Sequence, residues 1–433
     1  QAACPVQTDA RGYVLAVAKG EYRKGYQMAR QPNPLASTCG EVCNAPCEKG
    51  CRRGEFGNPV AIRELKRFLT EKYGAEAGPR IDGLGVGAAL LREVAPENSQ
   101  TWESFAALSR AKGSFQRRKA RVAIVGSGPA GMTVAHDLAL LGYDITIFDA
   151  APVPGGMNML GVPEFRLNRT MVRKEIEDIL SLGNVEVRCN QALGRDFLVK
   201  DLEAQGYDAI FIAIGLWKSR YLRIPGAELQ GVIGAIEQFT PNSNLGIPVQ
   251  IGRKVVVVGG GNTAMDVVRV CLRLDENGLL PRGEEMEKAR RRREVRRMPP
   301  LIRSVIEQRE RLQGGVPRMV PGREVHCLVV ESWDEMPADD VEKGDSVEEG
   351  VIYYNRRIPT RFVGKDGRVT GVETRRVTSV FDDMGRFNPQ TEPGSEEVFE
   401  CDTVALAIGQ APDFGWLKPE DGVKVDRGLI KVD

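Results

Sequence analysis

Three runs of consecutive apolar or β-branched residues, 122–125, 209–214 and 255–258, stand out along the chain. Such runs suit parallel strands covered on both faces. The segment 144–149 adds an apolar stretch closed by Asp149. Helical spacing predicts helices over 130–141 and 170–182, and one after residue 261 carrying Met265, Val268 and Leu272. Nearer the N-terminus, Val14, Val17, Ala18 and Tyr22 predict a helix over about 12–29. Asn58 and Pro59 predict the cap and first turn of another, with Ile62, Leu65, Phe68 and Leu69 on one face. Residues 74–116 are mixed, punctuated by Gly and Pro, and read as a link.

The first run leads into Gly126, Gly128 and Gly131 in G-x-G-x-x-G order, with Pro129 and Ala130 opening the next helix. The first glycine allows a tight turn, the second lets backbone N–H groups approach a pyrophosphate, and the third lets helix and strand pack closely. The helix N-terminus then faces the phosphates. Asp149 follows at about the 20 residues expected of a ribose-binding acid. A second such turn holds Gly259, Gly261 and Ala264, with Asn262 and Thr263 between them. Two fingerprints in one chain imply a duplicated α/β fold and two dinucleotides. Gly155 and Gly156 make a loop that can run close beneath a flat ring, and Gly215 ends a strand where ligands of such sheets collect.

Composition narrows the partners. The 433 residues carry 60 basic and 59 acidic side chains, a formal net charge of +1, which gives no reason to expect nucleic acid. No apolar run reaches the roughly 18 residues of a membrane span, and no secretory signal is present, so the expectation is a cytoplasmic protein. The first residue is not methionine and the last follows a strand-like segment, so both ends are expected to be cut. Cys4, followed by Pro5, and Cys39, Cys43, Cys47 and Cys51 at C-x3-C-x3-C-x3-C spacing gather five of nine cysteines near the N-terminus. Gly40, Asn44, Pro46 and Gly50 place the four on a loop that can fold thiolates around one centre. An iron–sulfur cluster suits such a set. Zinc and disulfides are the alternatives, though His136 and His326, the two histidines, lie far along the chain.

Together, VAIVGSGPAG, PGGMNMLGVPEFRL, VVVVGGGNTAMD, DEMPADDVEKGDSVEEGV and DTVALAIGQAPD, preceded by the cysteine set, resemble one group over nearly the whole chain. It is that of the small subunit of bacterial glutamate synthase. The large subunit of the bifurcating NADH-dependent ferredoxin:NADP oxidoreductase and the N-terminal half of dihydropyrimidine dehydrogenase are relatives. The resemblance implies two Rossmann-like domains of the disulfide-reductase type behind an N-terminal helical iron–sulfur domain. It implies FAD on the first turn, a nicotinamide nucleotide on the second, and one or two [4Fe-4S] clusters. The expected divisions are 1–116 for the cluster domain and linker, 117–250 for the first part of the FAD domain, 251–410 for the nucleotide domain with an insertion over 275–323, and 411–433 for a truncated return towards the FAD domain.

By matching position, Cys4, Cys43 and Cys47 would serve one cluster and Cys51 a second. Lys66 stands where relatives carry a Glu or Gln ligand, and an ammonium has no lone pair to give. Cys39 and Glu64 are the substitutes. Val330 and Glu331 stand where NADP-binding relatives carry paired arginines. A carboxylate there accepts from a ribose diol and repels a 2′-phosphate, which favours NAD over NADP. Gly155, Gly156 and Gly215 would border the flavin, and Gly409 the nicotinamide. The charge run 284–297 reads as a solvated helix, with docking to an acidic partner as the alternative. The expected role is an NADH-oxidising subunit passing electrons through FAD and clusters to a partner subunit or ferredoxin, within a hetero-oligomer. A self-contained glutamate synthase-like or ferredoxin-linked oxidoreductase and a non-catalytic relay are the rival readings. No acid–base residue is nominated.

Overall fold

The computed structural model describes residues 2–75, 77, 118–281, 320, 322–418, 423–426 and 429–431. Most of the expected linker and of the expected insertion, including the charge run 284–297, lie outside the described residues. The chain forms two compact units, Gln1–Met159 with Arg166–Gly215 and Asp413–Asp433, and Leu160–Phe165 with Leu216–Pro412.

Unit 1 begins with α1 (Ala10–Ala18), whose Asp9 side chain accepts from Gly12 N, and α2 (Tyr22–Arg30). These replace the single helix expected over 12–29. Gly20, at φ +75°, ends α1 in the left-handed region that glycine enters freely. Next come α3 (Ala36–Val42), the short α4 (Pro46–Lys49) and α5 (Ile62–Tyr73). Neither Asn58 nor Pro59 opens α5. Its N-cap is Ala61, and the first-turn N–H of Arg63 instead finds Glu48 Oε1 at 2.7 Å. Tyr13, Tyr26, Ala29, Ile62 and Leu69 form the core of this helical part.

The sheet of unit 1 runs β3-β2-β1-β4, all parallel, from β1 (Arg121–Val125), β2 (Asp144–Phe148), β3 (Val185–Arg188) and β4 (Ala209–Ile212). Helix α6 (Pro129–Leu140) follows β1, and α7 (Arg169–Leu180) precedes β3. The helical part is tied to these helices by buried polar groups. Arg30 reaches His136 Nε2 and Asp178, each at 3.4 Å. The buried Glu175 accepts from Ser37 N at 2.6 Å and Thr38 N at 3.1 Å, at the start of α3. Trp416, from the last segment, packs on Gly194.

Unit 2 contains the second parallel sheet, β6-β14-β7-β8-β9. It is built from β6 (Val232–Gly234), β7 (Lys254–Val258), β8 (Glu324–Val329), β9 (Ile352–Asn355) and β14 (Thr403–Leu406). Residues 216–250, which the sequence divisions assign to the first domain, fall in unit 2, because β6 pairs in register with β14. A short β5 (Lys218–Ser219) pairs with β15 (Gln410–Ala411) in the same unit. An antiparallel sheet of β10 (Arg357–Lys365), β11 (Arg368–Phe381), β12 (Phe387–Thr391) and β13 (Glu397–Glu400) lies between β9 and β14 in the chain. Helices α8 (Asn262–Arg273) and α9 (Asp340–Glu348) are clamped together: fully buried Arg269 meets Glu342 and Glu349 at 2.8 Å and Asp345 at 3.2 Å. Arg273 joins at Glu349, and the Phe165 ring lies 4.3 Å from the Arg273 guanidinium. Among the described residues, no helix is long and apolar enough to cross a membrane.

Candidate functional site

At the end of β1, Gly126 turns with φ +107°, and a side chain there would strike the Ala213 carbonyl. A side chain at Gly131 would strike the Gly126 carbonyl, so α6 can cross the strand only with glycine at that position. Gly128 is the N-cap of α6, and Pro129 and Ala130 form its first turn, which leaves their end of the helix to supply backbone donors. Asp149 is buried and partly engaged. Its Oδ2 accepts from Ser127 N at 2.6 Å and from Ser127 Oγ, and its Oδ1 from Ala151 N at 2.8 Å. The acid therefore braces the turn as well as facing the end of the strand. Ser127 went unremarked in the sequence, although it sits inside the fingerprint.

Gly155 and Gly156 sit against this turn. Gly155 N donates to Ser127 Oγ at 3.1 Å, and a Cβ on Gly156 would stand 2.6 Å from Gly128 Cα. Their φ values, +118° and +55°, both lie in the region that glycine favours. Gly215 also has positive φ, +64°, and nothing comes within 4 Å of its Cβ position.

In unit 2 a cavity of about 510 Å³ is lined by Gly259, Gly261, Asn262, Thr263, Glu331 and Gly409. Ala264 lies beneath it, fully buried, where α8 starts. The Glu331 carboxylate stands over the turn, 2.8 Å from where a Gly260 Cβ would be. It belongs to the residues just after β8, the strand next to β7, as a ribose-binding acid should. The Met-Pro-Ala stretch after it holds the turn in place. Ala338 N donates to Gly260 O at 3.1 Å, and Asp339 N to Asn262 Oδ1 at 2.9 Å. Phe387, on β12, also lines the cavity, and no periodicity in the sequence pointed to it.

The cysteines do not all lie on a loop. Cys39 is inside α3, Cys43 caps it, and Cys47 is in α4. Lys66, buried on α5, donates from Nζ to Cys39 Sγ at 3.5 Å. Cys43 is lowered to about 6 by a hydrogen bond from Cys39, helped by Ala45 N–H, Lys66 and Arg63. Burial and the charges of Cys47, Cys39 and Cys4 raise the Tyr13 hydroxyl, so these thiols share its surroundings. Although burial opposes it, Cys4 is lowered by hydrogen bonds from Thr8 and Val6 and by Lys66. Glu64, the other substitute ligand, pairs with Arg63 at 3.5 Å. No three His, Cys, Asp or Glu side chains among the described residues are grouped as ligands of a single metal ion. Four neighbouring thiols beside Lys66 and Arg63 do suit an iron–sulfur cluster, since the two cations offset thiolate charge.

Comparison with known proteins gives two family matches. Residues 1–77 match dihydropyrimidine dehydrogenase domain II, 4Fe-4S cluster, and residues 120–320 match pyridine nucleotide-disulphide oxidoreductase. The chain thus joins a 4Fe-4S cluster domain to a pyridine nucleotide-disulphide oxidoreductase domain, and it is similar to the family of FAD, NAD(P) and iron–sulfur oxidoreductases that includes glutamate synthase small chains. The family's disulfide-reductase fold accounts for the two glycine turns, and its cofactors are FAD, NAD(P) and a [4Fe-4S] cluster. Among its relatives, the NADP(+)-dependent formate dehydrogenase subunit beta of Moorella thermoacetica is 36% identical over 436 residues, covering 99% of this chain and 53% of the relative. The NADPH-Fe(3+) oxidoreductase subunit beta of Geobacter sulfurreducens is 32% identical over 430 residues, covering 98% and 52%. The glutamate synthase [NADPH] small chain of Halomonas elongata is 27% identical over 443 residues, covering 99% and 77%. The chain spans about half the length of the first two.

Proposed function

We propose that this chain is an NADH-oxidising module that passes electrons through FAD and a [4Fe-4S] cluster to a partner subunit or a ferredoxin. A bound flavin can take a hydride and release single electrons, which is the chemistry needed between a nicotinamide nucleotide and a cluster. The residues of this chain hold and orient. The Gly126 turn and the α6 N-terminus would receive the FAD pyrophosphate, with Asp149 at its ribose. Gly155, Gly156 and Gly215 would border the flavin. The Gly259 turn, with Gly261, Asn262, Thr263 and Ala264, would take the pyrophosphate of the nicotinamide nucleotide, and Gly409 would lie by its nicotinamide. Cys4, Cys39, Cys43 and Cys47 would ligate the cluster, with Cys39 in place of a carboxylate or amide ligand because Lys66 reaches it while Glu64 faces Arg63. Cys51 would serve a second cluster. Free thiols of this kind suit the reducing cytoplasm, and the names of the beta-subunit relatives support a hetero-oligomer.

The observation that carries the choice of NADH is the Glu331 carboxylate over the second turn. It can accept both hydroxyls of a ribose, and it repels a 2′-phosphate at that place. The named relatives use NADP(H), and one feature favours that second reading here. Arg356 follows β9, its N–H bonded to Glu331 O at 3.2 Å, although its guanidinium is held by Glu335 at 2.7 Å. An anaerobic titration of the purified full-length protein with NADH and then NADPH, following flavin and cluster absorbance, decides between them. Bleaching at far lower NADH than NADPH, with cluster reduction following, is the expected result. Val330→Arg with Glu331→Arg should reverse the preference. Tighter action of NADPH on the unaltered protein would refute the NADH assignment, and a flavin bleached by neither would leave a non-catalytic relay.

A further inference from the structure

The β11–β12 hairpin is an aromatic arm over the second nucleotide cavity. Its base is fixed beside Glu331: Val377 N donates to Arg356 O at 2.8 Å, and Arg356 N to Glu331 O at 3.2 Å. From there the strands pair from Val377 opposite Thr391 to Phe381 opposite Phe387, and the register shifts at bulges between those pairs. Bulges increase local twist and re-aim the end of a hairpin. The tip is held firmly. Asp382 Oδ1 accepts from Met384 N at 3.0 Å and Arg386 N at 2.9 Å, while Oδ2 accepts from Arg386 Nε at 2.9 Å. So Phe387 is carried by a braced turn.

Phe387 lines the cavity together with Val330, Glu331 and Pro337, yet it is 61% exposed. Its ring has one aromatic neighbour among the described residues, the edge of Phe381, with centroids 6.2 Å apart at 77°. An exposed phenylalanine alone says little. One held by a braced arm at the mouth of a nucleotide cavity offers a flat apolar face to whatever enters. Strand order says which half of a dinucleotide that is. β8 and β14 flank β7 on opposite sides, so Glu331 marks the adenosine side and Ile408 and Gly409 the nicotinamide side. The hairpin springs from the Glu331 side. Adenine is joined to the ribose that Glu331 would hold, so it lies within one sugar of that carboxylate.

We propose that Phe387 is the adenine platform of the second nucleotide site, stacking on the base while Glu331 reads the ribose joined to it. This rests on the dinucleotide reading of the Gly259 turn. It does not depend on the choice between NADH and NADPH, since both carry the same adenine.

The test uses the full chain with its cofactors, comparing the wild type with Phe387→Ala and Phe387→Trp. ADP-ribose affinity is measured by calorimetry, and anaerobic flavin reduction is followed with NADH and with reduced nicotinamide mononucleotide, which lacks the adenosine. Phe387→Ala should weaken ADP-ribose binding about tenfold, the scale of one base stacked on one aromatic ring. It should raise the NADH requirement alike and leave reduction by the mononucleotide unchanged, while Phe387→Trp stays near wild type. Equal ADP-ribose affinity in wild type and Phe387→Ala would overturn the platform and leave the dinucleotide reading standing. A matching loss with the mononucleotide would overturn it too, as a general disturbance of the site. Failure of the wild type to bind ADP-ribose would remove the dinucleotide reading, and this assignment with it.

Discussion

Glu175 shows how much one residue can carry. Burial pushes its carboxyl up to about 7, outweighing the hydrogen bonds from Thr38 and Ser37. The folded carboxyl therefore keeps its proton over a range, from about pH 4.5 to about 7, in which the unfolded one has lost it. Stability should fall as pH rises through that window, by roughly 3 kcal/mol in all. Glu175→Gln keeps one of the two acceptor oxygens that face α3 and loses the charge, so, although it starts from lower stability, its denaturation midpoint should be nearly flat between pH 5 and pH 8. A wild type as flat as the variant would sink this account. Glu175 shows no signal in the sequence: it reads as one more polar position on a helix, and only packing against α3 makes it exceptional. Glu331, by contrast, was legible through the resemblance, because it stands where NADP-binding relatives carry an arginine.

At the scale of elements, the glycines explain why two segments must touch. The sequence suggested that Gly155 and Gly156 leave room for a flat ring. The structure supplies a nearer reason, the backbone of Gly128 beneath Gly156. Gly156→Ala should therefore strain φ and push the loop off the first turn, with a sharp loss of FAD from the purified protein. The flavin-to-protein absorbance ratio would show it, and a ratio equal to that of the wild type would mean that the loop tolerates a methyl group. The α1–α2 break was also written in the chain, at Gly20, but helical spacing on both sides of it outweighed one glycine. The start of α5 was misplaced for a different reason. Its cap comes from Glu48, 15 residues away, and a cap supplied from elsewhere leaves no local pattern.

The whole molecule divides into two compact units with separate cores. Arg269 sits inside the core of unit 2 with three carboxylates around it. Removing one partner from such a buried network leaves the rest uncompensated, at a cost of about 3–5 kcal/mol. Calorimetry of the cofactor-loaded protein should show two transitions, since chains with more than one core depart from two-state unfolding. Arg269→Ala should lower one of them, and Glu175→Gln should move the other. A single transition shifted by both substitutions would show that the units unfold together.

The sequence by itself determined the two glycine turns, the strands that lead into them, the acid Asp149, and the cysteine set. Each is a local pattern whose geometry follows from backbone freedom or strand period over a few residues. Only the tertiary structure decided that 216–250 belongs to the second unit, because sheet partnership between β6 and β14 spans most of that unit's length. It also decided that Lys66 meets Cys39, that Glu175 caps α3, and that Phe387 reaches the second cavity. These are contacts between residues far apart in the chain, and they follow from packing, which no short stretch of sequence encodes.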